Sequence, residues 1–334
     1  MRHLSSILAA LYFGVTLAHA QAVLDTRAGR YEVIGLDRWT LTMLQDSLSA
    51  HGESLTTHTC AAVLRRALGF ADASVFIHGM GAPGGREKFT EIMVVEPQDS
   101  ARVKFLPLPD DSVPIRSAWE DIAQLLRQNP NLLSFLIQHP EALYSPVPPD
   151  SLLRRSSDTE RLRLIWARGF PDEVVDTAIW TLQHDRNLDN QIPALLILGT
   201  PTLGAQAQVA LGETLRSPMS FVSLMAARLL KYRVGELRLS LPWERLAPSL
   251  HAVLDGTNLF ALRYIMELLT DTRPDSAFGR RLLARGGRII LARLAASDAS
   301  VRAGAYAFLR HMTGYDLPPD LQPWREALGL AAVP

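Results

Sequence analysis

Cysteine is almost absent from this chain, since Cys60 is the only one among 334 residues. A single thiol excludes an intramolecular disulfide, so covalent cross-links cannot hold the fold together. Hydrophobic residues make up 48% of the sequence. A chain of about 300 residues can bury on the order of three-quarters of its extended surface. We therefore expect the stability of the protein to come from a large apolar core.

An excess of charge is also lacking, because 34 lysines and arginines balance 34 aspartates and glutamates. Proteins that follow a nucleic-acid backbone usually carry a basic excess or a basic cluster. Arginine pairs such as Arg65-Arg66 and Arg280-Arg281 fall in or near predicted helices, where they are expected on solvated faces. The composition therefore argues against a nucleic-acid partner.

Common catalytic motifs are missing as well: the sequence has no H-E-x-x-H, no G-x-S-x-G and no P-loop. A glycine-rich segment at 79–85 follows a predicted strand, as a phosphate-binding loop would, but it leads into another strand. It thus lacks the helix N-terminus on which phosphate binding depends, and we interpret it as a hairpin connection. No cofactor is predicted.

Long hydrophobic runs are confined to the N-terminus. Residues 1–20 combine a basic start, an apolar run at 4–17 and the small-x-small sequence Ala18-His19-Ala20, a pattern typical of a secretory signal peptide cleaved before Gln21. Polar residues interrupt the run, and a membrane-spanning helix needs about 20 apolar residues. The sequence therefore predicts an exported protein, periplasmic or extracellular, that does not span a membrane.

Segments with the pattern of amphipathic helices follow one another from residue 170 to residue 314. Apolar residues recur there three and four positions apart, in successive segments separated by short polar turns. Representative stripes are Val174, Val175, Ala178, Ile179 and Leu182; Leu262, Ile265, Leu268 and Leu269; and Val301, Ala305, Phe308, Leu309 and Met312. Helices connected this closely must bury their stripes against sequence neighbours, which predicts an α-solenoid.

One segment, Asp298-x-x-Val301-Arg302-x-x-Ala305-x-x-x-Leu309, resembles the second helix of a HEAT repeat. The chain ending, from 308 through 316 to Trp324, looks like that of bacterial HEAT-repeat proteins of uncharacterised function. Helix pairs recur at a similar interval from near Asp172, Gly204, Trp243 and Ser276. The C-terminal half to two-thirds of the chain thus resembles HEAT/armadillo-type repeats, and stacked repeats of this type leave a continuous surface free for recognition.

The region before the repeats has a different pattern. Short apolar or alternating segments predict strands at 31–36, 73–78, 88–95 and 101–105, and helices are predicted at 39–50 and 55–68. We expect a small α+β domain of order β-α-α-β-β-β at 21–111, transitional helices and a proline-rich linker at 112–150, and the helical-repeat domain at 151–334. The predicted fold class is mainly α, an α-solenoid of HEAT-like helix pairs preceded by a small α+β domain.

Cys60 and His78 are the candidate catalytic residues. A thiol on a helix packed against a histidine-bearing sheet is the arrangement of some cysteine hydrolases, in which the imidazole lowers the pKa of the thiol. The residues after Cys60 are apolar, however, which is typical of an inert cysteine. If Cys60 is buried and His78 points away from it, the hydrolase hypothesis loses its residues. No metal is predicted, because His51, His58, Cys60 and His78 lack a recognised zinc spacing.

The turn at 255–260 is the candidate binding site. It contains two potential capping residues, Asp255 and Asn258, followed by Leu259 and Phe260. These side chains either contact a partner or cap a helix and seal the core. The predicted function is that of a non-enzymatic exported scaffold that binds a protein, on the repeats or at their junction with the small domain. The alternative is a cysteine-dependent hydrolase centred in the small domain.

Overall fold

The computed structural model describes most of the chain after its N-terminal segment. The described residues are 22–27, 29–78, 89–109, 111–138, 143, 157–235, 240–284 and 286–330. The predicted signal peptide at 1–20, the glycine-rich segment at 79–85 and the proline-rich stretch at 146–149 lie outside them.

The described part of the chain is mainly helical and carries a small four-stranded sheet, so the mainly α class is confirmed. The strands are β1 (Ala22–Thr26), β2 (Gly29–Ile34), β3 (Asp72–His78) and β4 (Phe89–Val95). The first helices are α1 (Leu41–Ala50), α2 (Cys60–Arg66), α3 (Glu120–Gln128), α4 (Pro130–Gln138) and α5 (Ser157–Ala167). The later helices are α6 (Asp172–His184), α7 (Leu188–Leu198), α8 (Ala205–Thr214), α9 (Ser220–Gly235), α10 (Trp243–Leu254), α11 (Leu259–Thr272), α12 (Ser276–Leu283), α13 (Arg288–Leu294), α14 (Ala299–Thr313) and α15 (Leu321–Ala327). Within the described ranges, no helix is both long enough and apolar enough to cross a membrane.

The sheet has the strand order β1-β2-β4-β3. β1 and β2 form an antiparallel hairpin, β2 runs parallel to β4, and β3 pairs antiparallel with β4. Side chains alternate between the two faces along each strand. One face packs in a cluster with α1 and α2, and the opposite face packs against the later helices.

The predicted strand at 101–105 is wrong. Residues Pro97–Arg102 form a 3-10 helix, and β1, which was not predicted, supplies the fourth strand. Proline has no N–H to donate to a strand ladder but fits the first turn of a helix. The chain after the 3-10 helix is nevertheless extended, and the N–H of Lys104 donates to Oγ1 of Thr257 at 2.8 Å. The alternating pattern therefore reflects an extended segment bonded to the helical region rather than a fourth strand of the sheet.

Eight of the helices from α6 to α14 pack in two sets. α6, α8, α10 and α12 contact one another in succession, and so do α7, α9, α11 and α14. Sequence neighbours also pack together, as in α6 with α7 and α8 with α9. The predicted apolar stripe of α11 is buried, because Leu262, Ile265 and Leu269 have no exposed surface.

Local sequence explains where helix α14 begins and ends. The side chain of Asp298 accepts hydrogen bonds from the N–H groups of Ser300 and Val301. Gly314 ends the helix in a left-handed conformation, with a φ of 71°. Both devices pair backbone groups that a helix leaves unbonded at its ends.

The sheet shares the main apolar core with the helical region. Ile34, Met93 and Val95 on its second face belong to the same buried cluster as the later helices. Gly256 permits this close approach, because a Cβ at that position would lie 2.7 Å from Cγ2 of Val95. The small α+β region is therefore packed directly on the helices through an apolar interface.

Candidate functional site

Cys60 begins α2 and lies in the smaller apolar cluster. Its side chain is fully buried, in the same cluster as Val33, Leu44 and Leu48. Burial raises the pKa of the Cys60 thiol to about 11, and the negative charge of Glu53 adds to the rise. The thiolate is the reactive form of cysteine. This environment therefore disfavours nucleophilic chemistry at neutral pH.

His78 lies on the opposite face of the sheet from Cys60. Val75 belongs to the cluster of Cys60, so His78, three positions further along β3, faces the later helices. Its Nε2 atom lies 3.1 Å from Oε2 of Glu91. The structure thus separates the two candidate catalytic residues by the thickness of the sheet. Because Cys60 is buried and His78 points away from it, the cysteine-hydrolase hypothesis loses its pair of residues.

The four residues weighed as metal ligands do not meet in one place. His51 and His58 are exposed, whereas Cys60 is buried and His78 faces the later helices. The Nδ1 atom of His51 is hydrogen-bonded to the carbonyl of Ser47 at 2.8 Å. Among the residues that the structure describes, no group of three or more His, Cys, Asp or Glu side chains is arranged to hold a metal ion.

The candidate binding turn is an internal junction between the sheet and the helices. Asp255, Asn258 and Leu259 are all buried. Nη2 of Arg102 donates to the carbonyl of Asp255 at 3.0 Å, and its Nε lies 3.4 Å from the carboxylate of Asp255. The expectation of a partner contact at Asp255, Asn258 and Leu259 is therefore corrected, because their side chains seal the core.

The side chain of Asn258 does not cap α11. Asn258 adopts a left-handed conformation with a φ of 54°, and its Nδ2 donates to the carbonyls of Leu215 and Ser217 at 2.6 and 2.7 Å. Asp72, a residue of β3, caps the helix instead, since its Oδ2 accepts the N–H of Leu259 at 2.8 Å. A carboxylate is favourable at a helix N-terminus because the unpaired N–H groups there carry partial positive charge. The turn thus ties the sheet to the helical region.

Phe260 is the residue of this turn that is not fully enclosed. Its ring stacks on Phe76 of β3 with centroids 5.5 Å apart, and it meets Phe221 of α9 edge to face at 6.3 Å. Phe221 is 59% exposed, more than any other large hydrophobic side chain among the described residues. We call Phe76, Phe221 and Phe260 the junction aromatic cluster. Sequence analysis singled out Phe260 but gave no sign of the other two rings.

A second group of side chains, which sequence analysis missed, lies on the same face of the sheet. Glu32 and Glu91 are directly paired across β2 and β4, and both are buried. Nη1 of Arg293 in α13 donates to Oε1 of Glu91, while Glu32 accepts the N–H groups of Ser297 and Asp298 before α14. We call Glu32, Glu91 and Arg293 the buried charge cluster. A glutamate inside each apolar strand was the available signal, since buried charges require partners.

Comparison with known proteins does not place the chain in a family: no family model matches it, and no curated protein or solved structure is detectably similar to it. The HEAT-type resemblance stays a prediction. The function is therefore inferred from the surfaces and side chains described above.

Proposed function

We propose that this chain is an exported, non-enzymatic binding protein whose protein partner docks on the junction aromatic cluster. The observation that carries the proposal is the exposed ring of Phe221, supported from below by Phe260, which in turn stacks on Phe76. Aromatic residues, phenylalanine among them, are enriched in the core of protein interfaces relative to the rest of the surface. Rings already held by neighbours lose little conformational freedom when a partner covers them.

The helices belong, in this proposal, to an α-solenoid of HEAT-like pairs. The two sets of alternate contacts, α6-α8-α10-α12 and α7-α9-α11-α14, support this arrangement. In a stacked helical array each pair contacts only its neighbours, which leaves outer surfaces free for recognition. The junction aromatic cluster joins β3 to α9 and α11, so a partner there would contact both the small α+β region and the solenoid.

A protein is the partner class that the chemistry favours. The formal net charge of the chain is zero, whereas surfaces that bind nucleic acid usually carry a basic excess. Arg65 donates to Oγ of Ser220, next to Phe221, at 3.2 Å and lies 3.7 Å from Asp72, so this cation is already engaged within the protein. What remains for a partner at Phe221 is apolar surface, which is buried favourably against apolar side chains.

Export is proposed from residues 1–20 alone. Their basic start, apolar run and Ala18-His19-Ala20 motif support cleavage before Gln21. Intact mass of the protein recovered from the periplasm or the medium tests this directly. A chain that stays in the cytoplasm and retains Met1 would contradict it.

Site-specific crosslinking tests where the partner docks. A photo-activatable phenylalanine analogue at position 221 should give a discrete crosslinked protein in cells that naturally make this chain. The matched control places the same analogue at Leu164 of α5, another exposed hydrophobic side chain outside the cluster. We expect no equivalent product from position 164.

Binding measurements with the crosslinked partner then test whether Phe221 contributes to the affinity. Phe221→Ala should weaken binding by about 2 kcal/mol, or roughly 30-fold, as removal of a central aromatic side chain typically does. Leu164→Ala should leave the affinity within about two-fold of the unchanged protein. Equal crosslinking at both positions, or a partner that binds Phe221→Ala at full strength, would rule out the cluster as the docking site.

A further inference from the structure

Strand β3 forms one edge of the sheet, since β4 is its only strand neighbour among the described residues. An edge strand directs alternate N–H and C=O groups away from its neighbour. Within the described ranges, the main chain of Asp72–His78 has no hydrogen bond to backbone outside the sheet. The N–H of Ala73 reaches the carboxylate of Asp72 at 2.9 Å. The outward backbone groups beyond Ala73 are therefore available to another extended chain.

The accessible part of this edge is its second half. Arg65 of α2 lies 3.7 Å from Asp72 and also donates to Ser220 of α9, so the two helices meet beside the beginning of the strand. Residues 72–74 are correspondingly buried, whereas every residue of 75–78 is partly exposed. We call residues 75–78 the open edge of β3.

The two edges of the sheet are protected differently. At the opposite edge, β1 carries Asp25, whose side chain is 77% exposed. A charge on an edge strand opposes the addition of a further strand. The open edge of β3 begins instead with Val75, Phe76 and Ile77, which carry no charge and belong to the residue types that favour strands. Its composition therefore favours strand addition.

We propose that the protein partner presents an extended segment, which adds to the sheet as a further strand along the open edge of β3. The inference rests on the function proposed above, because it specifies how the partner reaches the same rings. Phe76 lies on the open edge and stacks on Phe260, which contacts Phe221. An apolar side chain of the added strand would cover the exposed ring of Phe221.

The backbone chemistry of the edge selects this form of partner. Strand addition gains affinity from main-chain hydrogen bonds and specificity from pockets that accept alternate side chains. A helical partner could not make these bonds, because its N–H and C=O groups are already paired within the helix. The junction aromatic cluster supplies the apolar contact next to the open edge.

A library of random short peptides displayed on phage, selected on the purified whole protein, supplies the probe. The selected peptide should have apolar residues at alternate positions, because alternate side chains of a strand share a face. Methylation of one backbone N–H at a time should weaken binding about ten-fold at every second position and leave it nearly unchanged in between. Equal sensitivity at all positions, or a library that yields no peptide with this alternation, would overturn the proposal.

Hydrogen exchange measured by mass spectrometry locates the bound peptide. Binding should slow exchange in the fragment that contains β3 and leave the fragment that contains β1 unchanged, because new main-chain hydrogen bonds form only at the open edge. Unchanged exchange in β3 would place the peptide elsewhere and overturn the proposal.

A matched pair of lysine substitutions tests the edge itself. Ile77→Lys adds a charge to the open edge, and Val23→Lys adds one to β1; both residues are half-buried and lie outside the two apolar clusters. Ile77→Lys should weaken peptide binding by about ten-fold, and Val23→Lys should leave it unchanged. Equal binding by the two variants would overturn the proposal. If Ile77→Lys does not fold, the methylation pattern decides, because it changes only the peptide.

Phe221→Ala separates this inference from the function on which it rests. A peptide that binds Phe221→Ala at full strength but keeps the alternating response to methylation would support strand addition and reject the junction aromatic cluster as the docking site. A peptide weakened by Phe221→Ala without that alternation would support docking on the cluster and overturn strand addition.

Discussion

Breaking the buried charge cluster should destabilise the protein far more than breaking a surface ion pair. Arg293→Met removes the guanidinium that bonds to Glu91, and the two side chains are only 11% and 1% exposed. Methionine retains much of the apolar stem, so the principal loss is the charge with its hydrogen bond. Glu91 would then keep the imidazole of His78, whose Nε2 lies at 3.1 Å, as its remaining side-chain partner.

The structure sets the expected size of this effect. Removal of one partner from a buried ion pair typically costs about 3–5 kcal/mol, because the other charge stays buried without compensation. The side chain of His78 is 31% exposed and gives Glu91 a hydrogen-bonding partner near water, so we expect the lower end of that range. For a chain of this size, about 3 kcal/mol corresponds to a decrease in Tm of roughly 4 °C.

Differential scanning calorimetry of three variants would test both the size of the destabilisation and its attribution to the unpaired charge of Glu91. Glu91→Met combined with Arg293→Met should restore stability to within about 1 kcal/mol, since apolar side chains often replace a buried ion pair without loss. Arg263→Met breaks an exposed pair with Glu267, joined at 2.9 Å within α11. That change should cost no more than about 1 kcal/mol.

Two results would refute this reasoning. A Tm for Arg293→Met within about 2 °C of the unchanged protein would mean that Glu91 is effectively solvated in spite of its burial. A double variant as unstable as Arg293→Met alone would show that the loss comes from packing of the arginine stem. In that case the charge of Glu91 would not be the source of the destabilisation.

The remaining predictions concern two buried titratable side chains. Because burial raises the pKa of Cys60 to about 11, a thiol reagent should label the native protein slowly at pH 7, and Cys60→Ala should retain partner binding; rapid stoichiometric labelling would reopen the hydrolase hypothesis. Burial also raises the pKa of Asp72 from 3.8 to about 6, against the opposing effect of the N–H of Leu259 and the charge of Arg65. A folded-state pKa above the unfolded value stabilises the fold fully below about pH 4, and this contribution is lost as the pH rises through about 6. The difference in unfolding free energy between the unchanged protein and Asp72→Asn should therefore fall by up to about 3 kcal/mol from pH 4 to pH 7, measured by denaturant titration, and a constant difference would contradict the shift.

Helices and their ends could be predicted because their determinants are local. The stripe that contains Leu262 and Ile265 marks one face of α11, and the capping residues Asp298 and Gly314 bracket α14. Each signal lies within a few residues of the structure it specifies. The alternation around Lys104 was misleading for a related reason: it reports an extended chain but does not say which neighbour the chain bonds to.

The candidate sites depended on information that the linear pattern lacks. Cys60 and His78 were predicted near one sheet, but only the packing of α2 shows that the two residues lie on opposite faces. The turn at 255–260 was recognised as a turn, whereas burial of Leu259 and partial exposure of Phe260 follow from where β3 packs on α11. Local sequence could not rank these residues as surface or core.

The sequence by itself determined the mainly helical class, most helix positions and the apolar face of each helix, because helix and strand periodicities arise from the nearest turns of the chain. Tertiary structure alone decided which side chains meet. Leu259 and Asp72 are 187 positions apart, Arg293 and Glu91 are 202 apart, and Ser297 and Glu32 are 265 apart. A periodic pattern shows that a side chain is buried but not what it is buried against, and contacts between distant segments exist only once the sheet has packed on the helices.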